Sequence, residues 1–316
     1  MKKLMTATVV AMGLALPAFA ADFPNGPVTI VVPYSPSGNT DVFTRHLAPY
    51  LSEKWGQPVI VDNKPGGGSM IGTAAVAQAE ANGQTLLMTS SAFVTAPAIN
   101  TDLPFDSRTD LTPITNVGHV SFVLITNADA PYNTLEEFIA STKESPKFAA
   151  TAGLGTTTHF AMEKFLADSG ADVDVVHFKG GGPAVVSILS NETDIYGSSI
   201  SSAGKNIEAG KVKPLAVLGN DRIAALPDTP SAKELGYDDL EIKQWLGVFA
   251  PAGVDAEIIE QINGDIREAL ATQSFIDTVT PLDWTLNGST TAEFATQVDV
   301  ELTKWKTIAD EAGIKK

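Results

Sequence analysis

Five stretches of this chain place small hydroxyl, amide or glycine residues directly after a short apolar run. The first is Ser35-Pro36-Ser37-Gly38-Asn39-Thr40, which follows the β-branched residues 29–32 and precedes an apolar-periodic segment opening near Val42. The second is Thr89-Ser90-Ser91, after residues 86–88. The third is Gly153-Leu154-Gly155-Thr156-Thr157-Thr158-His159, and the fourth Lys179-Gly180-Gly181-Gly182-Pro183. The fifth is Gly197-Ser198-Ser199. In an open α/β sheet, strand, tight turn and helix start in that order point free helix N–H groups out of the carboxyl edge. Ligands bind at that edge, and the helix end favours an anion. The chemistry on offer is therefore capture of an anion by N–H groups and hydroxyls. Alone, the first stretch reads more simply as a plain βα turn capped by Asn39 or Asp41; its repetition along the chain points to a site.

Bond-breaking chemistry lacks its usual marks. The four histidines, His46, His119, His159 and His177, show no metal-ligand spacing, and the chain has no Cys. His46 and His177 are expected to be packed or solvated on secondary structure. There is no Gly-x-Ser-x-Gly elbow for a serine nucleophile. Gly153 and Gly155 are followed by Thr158 where a dinucleotide fingerprint needs its third glycine. Residues 63–68, Asn-Lys-Pro-Gly-Gly-Gly, lack the Lys-Ser/Thr ending of a phosphate loop and are better read as a turn feeding a helix. No cofactor is implied.

The elements that must position these turns alternate. Strands are expected at 29–32, 58–61, 86–88, 114–117, 121–126, 148–151, 174–178, 194–196, 215–218 and 245–250. Helices are expected at 42–55, 70–80, 134–143, up to 167, 184–189, 254–272 and 291–312. Gly56 should stop the first helix, and Pro49 inside it should kink or restart it, at a cost of roughly 3 kcal/mol. Thr134-Leu135-Glu136-Glu137 fits a capping box. Such alternation means an α/β fold with largely parallel sheets, and turns spread over two halves suggest two domains facing one cleft.

Composition narrows the partners. The formal charge is −16, from 37 acidic and 21 basic residues, which argues against nucleic acid and anionic lipid. Lys2 and Lys3, an apolar run to Leu16 and Ala18-Phe19-Ala20 read as a secretory signal peptide over residues 1–20, cleaved after Ala20. Its removal takes the charge from −16 to −18. An exported chain is expected, and any anionic ligand must be held by local groups against the overall field.

Taken in order, PYSPSGNTD, GQPVIVDNKPGGG, GLGTTTH, HFKGGGPAVVSILSNETDI, LPDTPSAKELGY and WLGVFAPAG mark a family. Over essentially its whole mature length the chain resembles the Bug family, the TctC-like periplasmic solute receptors of tripartite tricarboxylate transporters. It departs from the family in having Ser37 and Asn39 where glycine is usual, and Ser198-Ser199 where Asp-Asn is usual. The resemblance implies a two-domain periplasmic binding protein fold, type II-like. Each domain would be a mixed, mainly parallel sheet flanked by helices, with the ligand cleft between: residues 22–120 with 245–316, and residues 121–244. It implies a small carboxylate ligand, the membrane components of a transporter as partners, and a monomer; with no Arg fork in the loops, a mono- or dicarboxylate, aromatic acids included, is expected. Ser35, Ser37, Asn39, Thr40 and Asp41, with Ser90 and Ser91 beside them, would form one lip. Gly155, Thr156, Thr157, Thr158 and His159 would form the other, flanked by Lys179, Gly180 and Ser198. Asp41 is either a cap that orients water or purely structural; His159 either lines the pocket or packs; Lys179 is either in the pocket or a solvated strand end. The rival readings are a receptor reporting to a membrane sensor, a periplasmic hydrolase using a serine with His159, and a phosphate or phosphonate ligand.

Overall fold

The computed structural model describes residues 23–100, 102–238 and 240–312. The leader expected over residues 1–20 lies outside them. In chain order the first elements are β1 (Val28–Val32), α1 (Asn39–Trp55), β2 (Val59–Asn63), α2 (Met70–Ala77), β3 (Thr85–Ser90) and α3 (Ala92–Ile99). Next come β4 (Leu111–Asn127), α4 (Leu135–Ser141), β5 (Phe148–Thr151), α5 (Thr157–Ser169), β6 (Asp174–His177), α6 (Gly181–Leu189), β7 (Ile195–Ser198), α7 (Ile200–Glu208) and β8 (Val212–Leu218). The chain closes with β9 (Lys243–Pro251), α8 (Ala256–Ala271), α9 (Gln273–Val279), β10 (Trp284–Leu286) and α10 (Thr291–Ala312).

The strand order is β2-β1-β3-β9-β4-β7-β5-β6, with β8 and β10 also paired to β4. Pairing is parallel in β2-β1-β3 and in β6-β5-β7, and antiparallel wherever β4 or β9 takes part. The two strands expected at 114–117 and 121–126 are one. β4 runs through Gly118 on register shifts at Pro113/Thr115 and Asn116/Gly118, pairs β9 as far as Ser121, and pairs β8 from Phe122. One strand therefore belongs to two sheets.

Alternation of side chains builds a core on each face of each sheet. In the first sheet Val28, Ile30, Val32, Leu86 and Met88 pack with α1 and α8, while Val31, Leu87 and Phe249 pack with α2, α3 and α10. In the second, Phe122 and Leu124 face α4 and α5, and Val123 and Ile125 face α6 and α7. Helix α1 runs unbroken through Pro49 and ends at Gly56, which takes the left-handed conformation (φ 61°). Phe43, Leu47 and Leu51 are completely buried on one face of it. At about 1.5–3 kcal/mol each they outweigh the proline.

Candidate functional site

Four helices begin at one cavity between the two sheets. Gly38 caps α1 from the first half; Thr156, Gly180 and Ser199 cap α5, α6 and α7 from the second. None of the four has a side-chain cap, whereas Thr134 and Asp255 cap α4 and α8 elsewhere. The first N–H groups of a helix have no intrahelical acceptor, and each N-terminus carries roughly half a positive charge. The cavity measures about 20 Å³, room for little more than one water. Asn39, Thr40, Thr156, Thr158, Ser199, Ser202 and Gln244 give it polar groups, and Tyr34, Phe122 and Tyr196 its walls. No Asp, Glu, Lys, Arg or His lines it.

The loops that carry these N-termini are held from behind. Asp41 is 2 % exposed, and its carboxylate accepts from the Ser37 N–H (2.9 Å), Asn63 Nδ2 (3.0 Å) and Arg45 Nε (3.0 Å). In the opposite loop Thr158 Oγ1 accepts from the Ala152 N–H (2.8 Å), and Thr156 Oγ1 donates to the Gly153 carbonyl (2.6 Å). His159 Nδ1 accepts from the Gly155 N–H at 3.2 Å, which leaves its proton on Nε2, 3.4 Å from Glu163. Burial holds this imidazole below its ordinary pKa, and that of His177, edge-on at 4.7 Å, is lowered by burial and by His159. Burial raises the Tyr34 and Tyr196 phenols, so both stay neutral at the cavity wall.

Direct contacts hold the halves together around the cavity. The Ser35 N–H donates to the Lys179 carbonyl (2.9 Å), Ser91 and Thr157 share a hydroxyl hydrogen bond (2.6 Å), and Thr95 Oγ1 donates to the Gly155 carbonyl (2.6 Å). A Cβ on Gly182 would stand 2.4 Å from the Pro36 carbonyl oxygen, and one on Gly68 2.1 Å from that of Leu154. Only glycine permits so close an approach.

The family model for the tripartite tricarboxylate transporter family receptor matches residues 43–314. The chain belongs to that family. Among its relatives, Protein BugT of Bordetella pertussis is 34% identical over 307 residues, 96% of this chain and 94% of its own. The periplasmic binding protein BugD superposes with a TM-score of 0.89 at 28% identity, covering 93% of this chain and 100% of its own. Rpa4515 of R. palustris, solved with adipate, gives 0.88 at 27% identity, covering 93% and 99%. The fold is that of the periplasmic binding proteins.

Within this receptor fold the residues singled out from sequence separate into groups. Asn39, Thr40, Thr156 and Thr158 come together at the cavity. Ser35, Ser91, Gly155, Thr157 and Gly180 lie at the contact between halves. Ser90 Oγ meets the Tyr34 hydroxyl at 2.7 Å, behind the wall. Ser37 and Asp41 fix the first loop. His159 is packed as a latch on the third, and Lys179 borders a separate chamber. Ser198 is fully buried with Oγ on the Ser199 carbonyl (3.3 Å); its neighbour Ser199 reaches the cavity instead. Tyr34, Tyr196, Ser202 and Gln244 were not singled out. Tyr34 and Tyr196 are buried aromatics like those of any core, and Gln244 arrives from a distant strand, where it accepts from Asn39 Nδ2. Among the described residues no group of His, Asp and Glu is placed to hold a metal ion.

Proposed function

We propose that the chain is a periplasmic receptor that captures a small carboxylate by its charged head in the cavity ringed by α1, α5, α6 and α7, and delivers it to the membrane components of a tripartite transporter. One observation carries this reading: four uncapped helix N-termini converge on a space without a charged side chain. N–H groups there form charge-assisted hydrogen bonds to an anion, stronger than neutral ones, and need no arginine. Rpa4515, of the same fold, was solved with a carboxylate, adipate. The cavity is too small for a carboxylate as it stands, so the halves must part to admit one. We take the sheets as two domains, hinged where β4 crosses at Ser121–Phe122 and where the chain enters β9 at Lys243. The hydrolase reading loses its base, because His159 Nδ1 is occupied by the Gly155 N–H and Nε2 faces Glu163.

The test is thermal unfolding of protein refolded to strip carried-over ligand, against carboxylates, phosphates and the primary amides of the same acids. A ligand at a hundred times its Kd adds about 2.7 kcal/mol. At roughly 2–4 °C per kcal/mol this is several degrees. A few related carboxylates should raise Tm while their amides do not. Equal shifts from acid and amide, or none from any acid, would remove the carboxylate reading.

A further inference from the structure

Beside the anion cavity lie two more spaces in sequence. The first, about 30 Å³, shares Tyr34 and Ala152 with the anion cavity. Ser69 borders it, 2 % exposed in a left-handed conformation (φ 88°), with an Oγ that finds no hydrogen-bond partner. This small space shares Gly67, Gly68, Phe178 and Lys179 with an outer chamber of about 400 Å³. Met70, Ile99, Leu154 and Phe178 give the chamber an apolar wall, and Lys179, His177 and Asp102 its ionisable groups. A volume of this size, mainly apolar with a few polar groups, is what a small-molecule site requires. The anion cavity alone cannot hold a ligand body.

We propose that the three spaces form one ligand path, the head at the helix N-termini, the body passing Ser69, and the far end in the chamber, where Lys179 selects for a second anionic group. This rests on the carboxylate reading above and adds the far end to it. Lys179 forms no ion pair among the described residues. Asp102, on the same chamber, opposes an anion there, and Lys179 is solvent-exposed, so the selection is of modest size. The buried, unpartnered Ser69 hydroxyl supplies a donor to a polar group along the path.

Calorimetric titration with linear α,ω-dicarboxylates of increasing length, and with their monomethyl esters, tests this. Affinity should rise with chain length until the second carboxylate reaches Lys179, and at that length the diacid should bind about two- to fivefold more tightly than its monoester. Lys179→Met should erase the preference, and Asp102→Asn should enlarge it. Both positions are at the chamber surface, and unchanged Tm without ligand confirms folding. Equal binding of diacid and monoester by the wild type, or a preference that survives Lys179→Met, would overturn the proposal while leaving the head-group reading intact. Binding by none of the acids would remove both.

Discussion

Asp41 is a buried carboxylate beside an anion site, and its partners explain why it does not repel the anion. Arg45 and Asn63 share its oxygens with the Ser37 N–H, so its charge is consumed in the loop. Asp41→Ala would leave the Ser37 N–H without its acceptor and unpair Arg45, while Asn63 Nδ2 keeps the Tyr34 carbonyl and Arg45 keeps Asn63 Oδ1. We expect a loss of about 2–3 kcal/mol, short of the cost of a fully buried pair because Arg45 is half exposed. Chemical denaturation measures it, and carboxylate affinity should fall as well. His159 gives a pH dependence. Burial depresses its folded-state pKa below the ordinary value, so the unfolded chain binds protons first and stability declines as pH falls from about 6.5 through the depressed value. His177 acts in the same direction. His159→Asn, which keeps an acceptor for the Gly155 N–H but does not titrate, should flatten the profile of Tm between pH 7.5 and 5. An unchanged slope would assign the effect elsewhere. The threonine loop is legible from residue types because three successive hydroxyls at a helix start are more than one N-cap needs. The latch role of His159 is not, since it depends on a turn that brings residue 155 back onto residue 159.

Helix α6 shows what the glycine run is for. Gly182 has ordinary helical placement in the second half, yet a Cβ there would meet the Pro36 carbonyl of the first at 2.4 Å. Gly182→Ala should weaken this contact between the halves at a cost of about 1–3 kcal/mol, offset by up to about 1 kcal/mol through helix propensity. Carboxylate affinity should fall at least tenfold, because the clash arises only when the halves meet. Wild-type affinity in that variant would show that the contact is not needed for binding. Asp283, left-handed at φ 64° after the short turn before β10, is pushed up to about 6 by burial. A raised carboxyl pKa means that stability is lost as pH climbs from about 4 through 6. Asp283→Asn keeps an acceptor for the Ser121 N–H and tolerates the left-handed backbone, so it should raise Tm at pH 7.5 and change it less at pH 5. Elements with a buried apolar face and clear punctuation, such as β1, α1 and α10, are legible in the sequence. Helix α7, Ile-Ser-Ser-Ala-Gly-Lys-Asn-Ile-Glu, is not, because only Ile200 and Ala203 of it are buried and its serines read as a loop. Helix α3 is apolar on nearly every side, so it carries no periodicity to read.

At the scale of the molecule, two mixed sheets share β4, and the site lies where their helix starts oppose one another. The alternation of strands and helices made the α/β class legible. It did not show the antiparallel pairing through β4 and β9, because those partners are set by long-range contacts rather than by local pattern. The charge of −16 fits a site that gathers its positive field locally, from backbone rather than from lysine and arginine. The direct measurement of that claim is an amide titration by nuclear magnetic resonance, using the carboxylate that raises Tm most and its primary amide as control. The N–H protons of Asp41, Thr157, Thr158, Gly181 and Ile200 should move downfield together on adding the acid, as they gain charge-assisted hydrogen bonds, and respond little to the amide. If the acid binds while those protons stay in place and the largest shifts fall on another face, the carboxylate is not held by the helix N-termini.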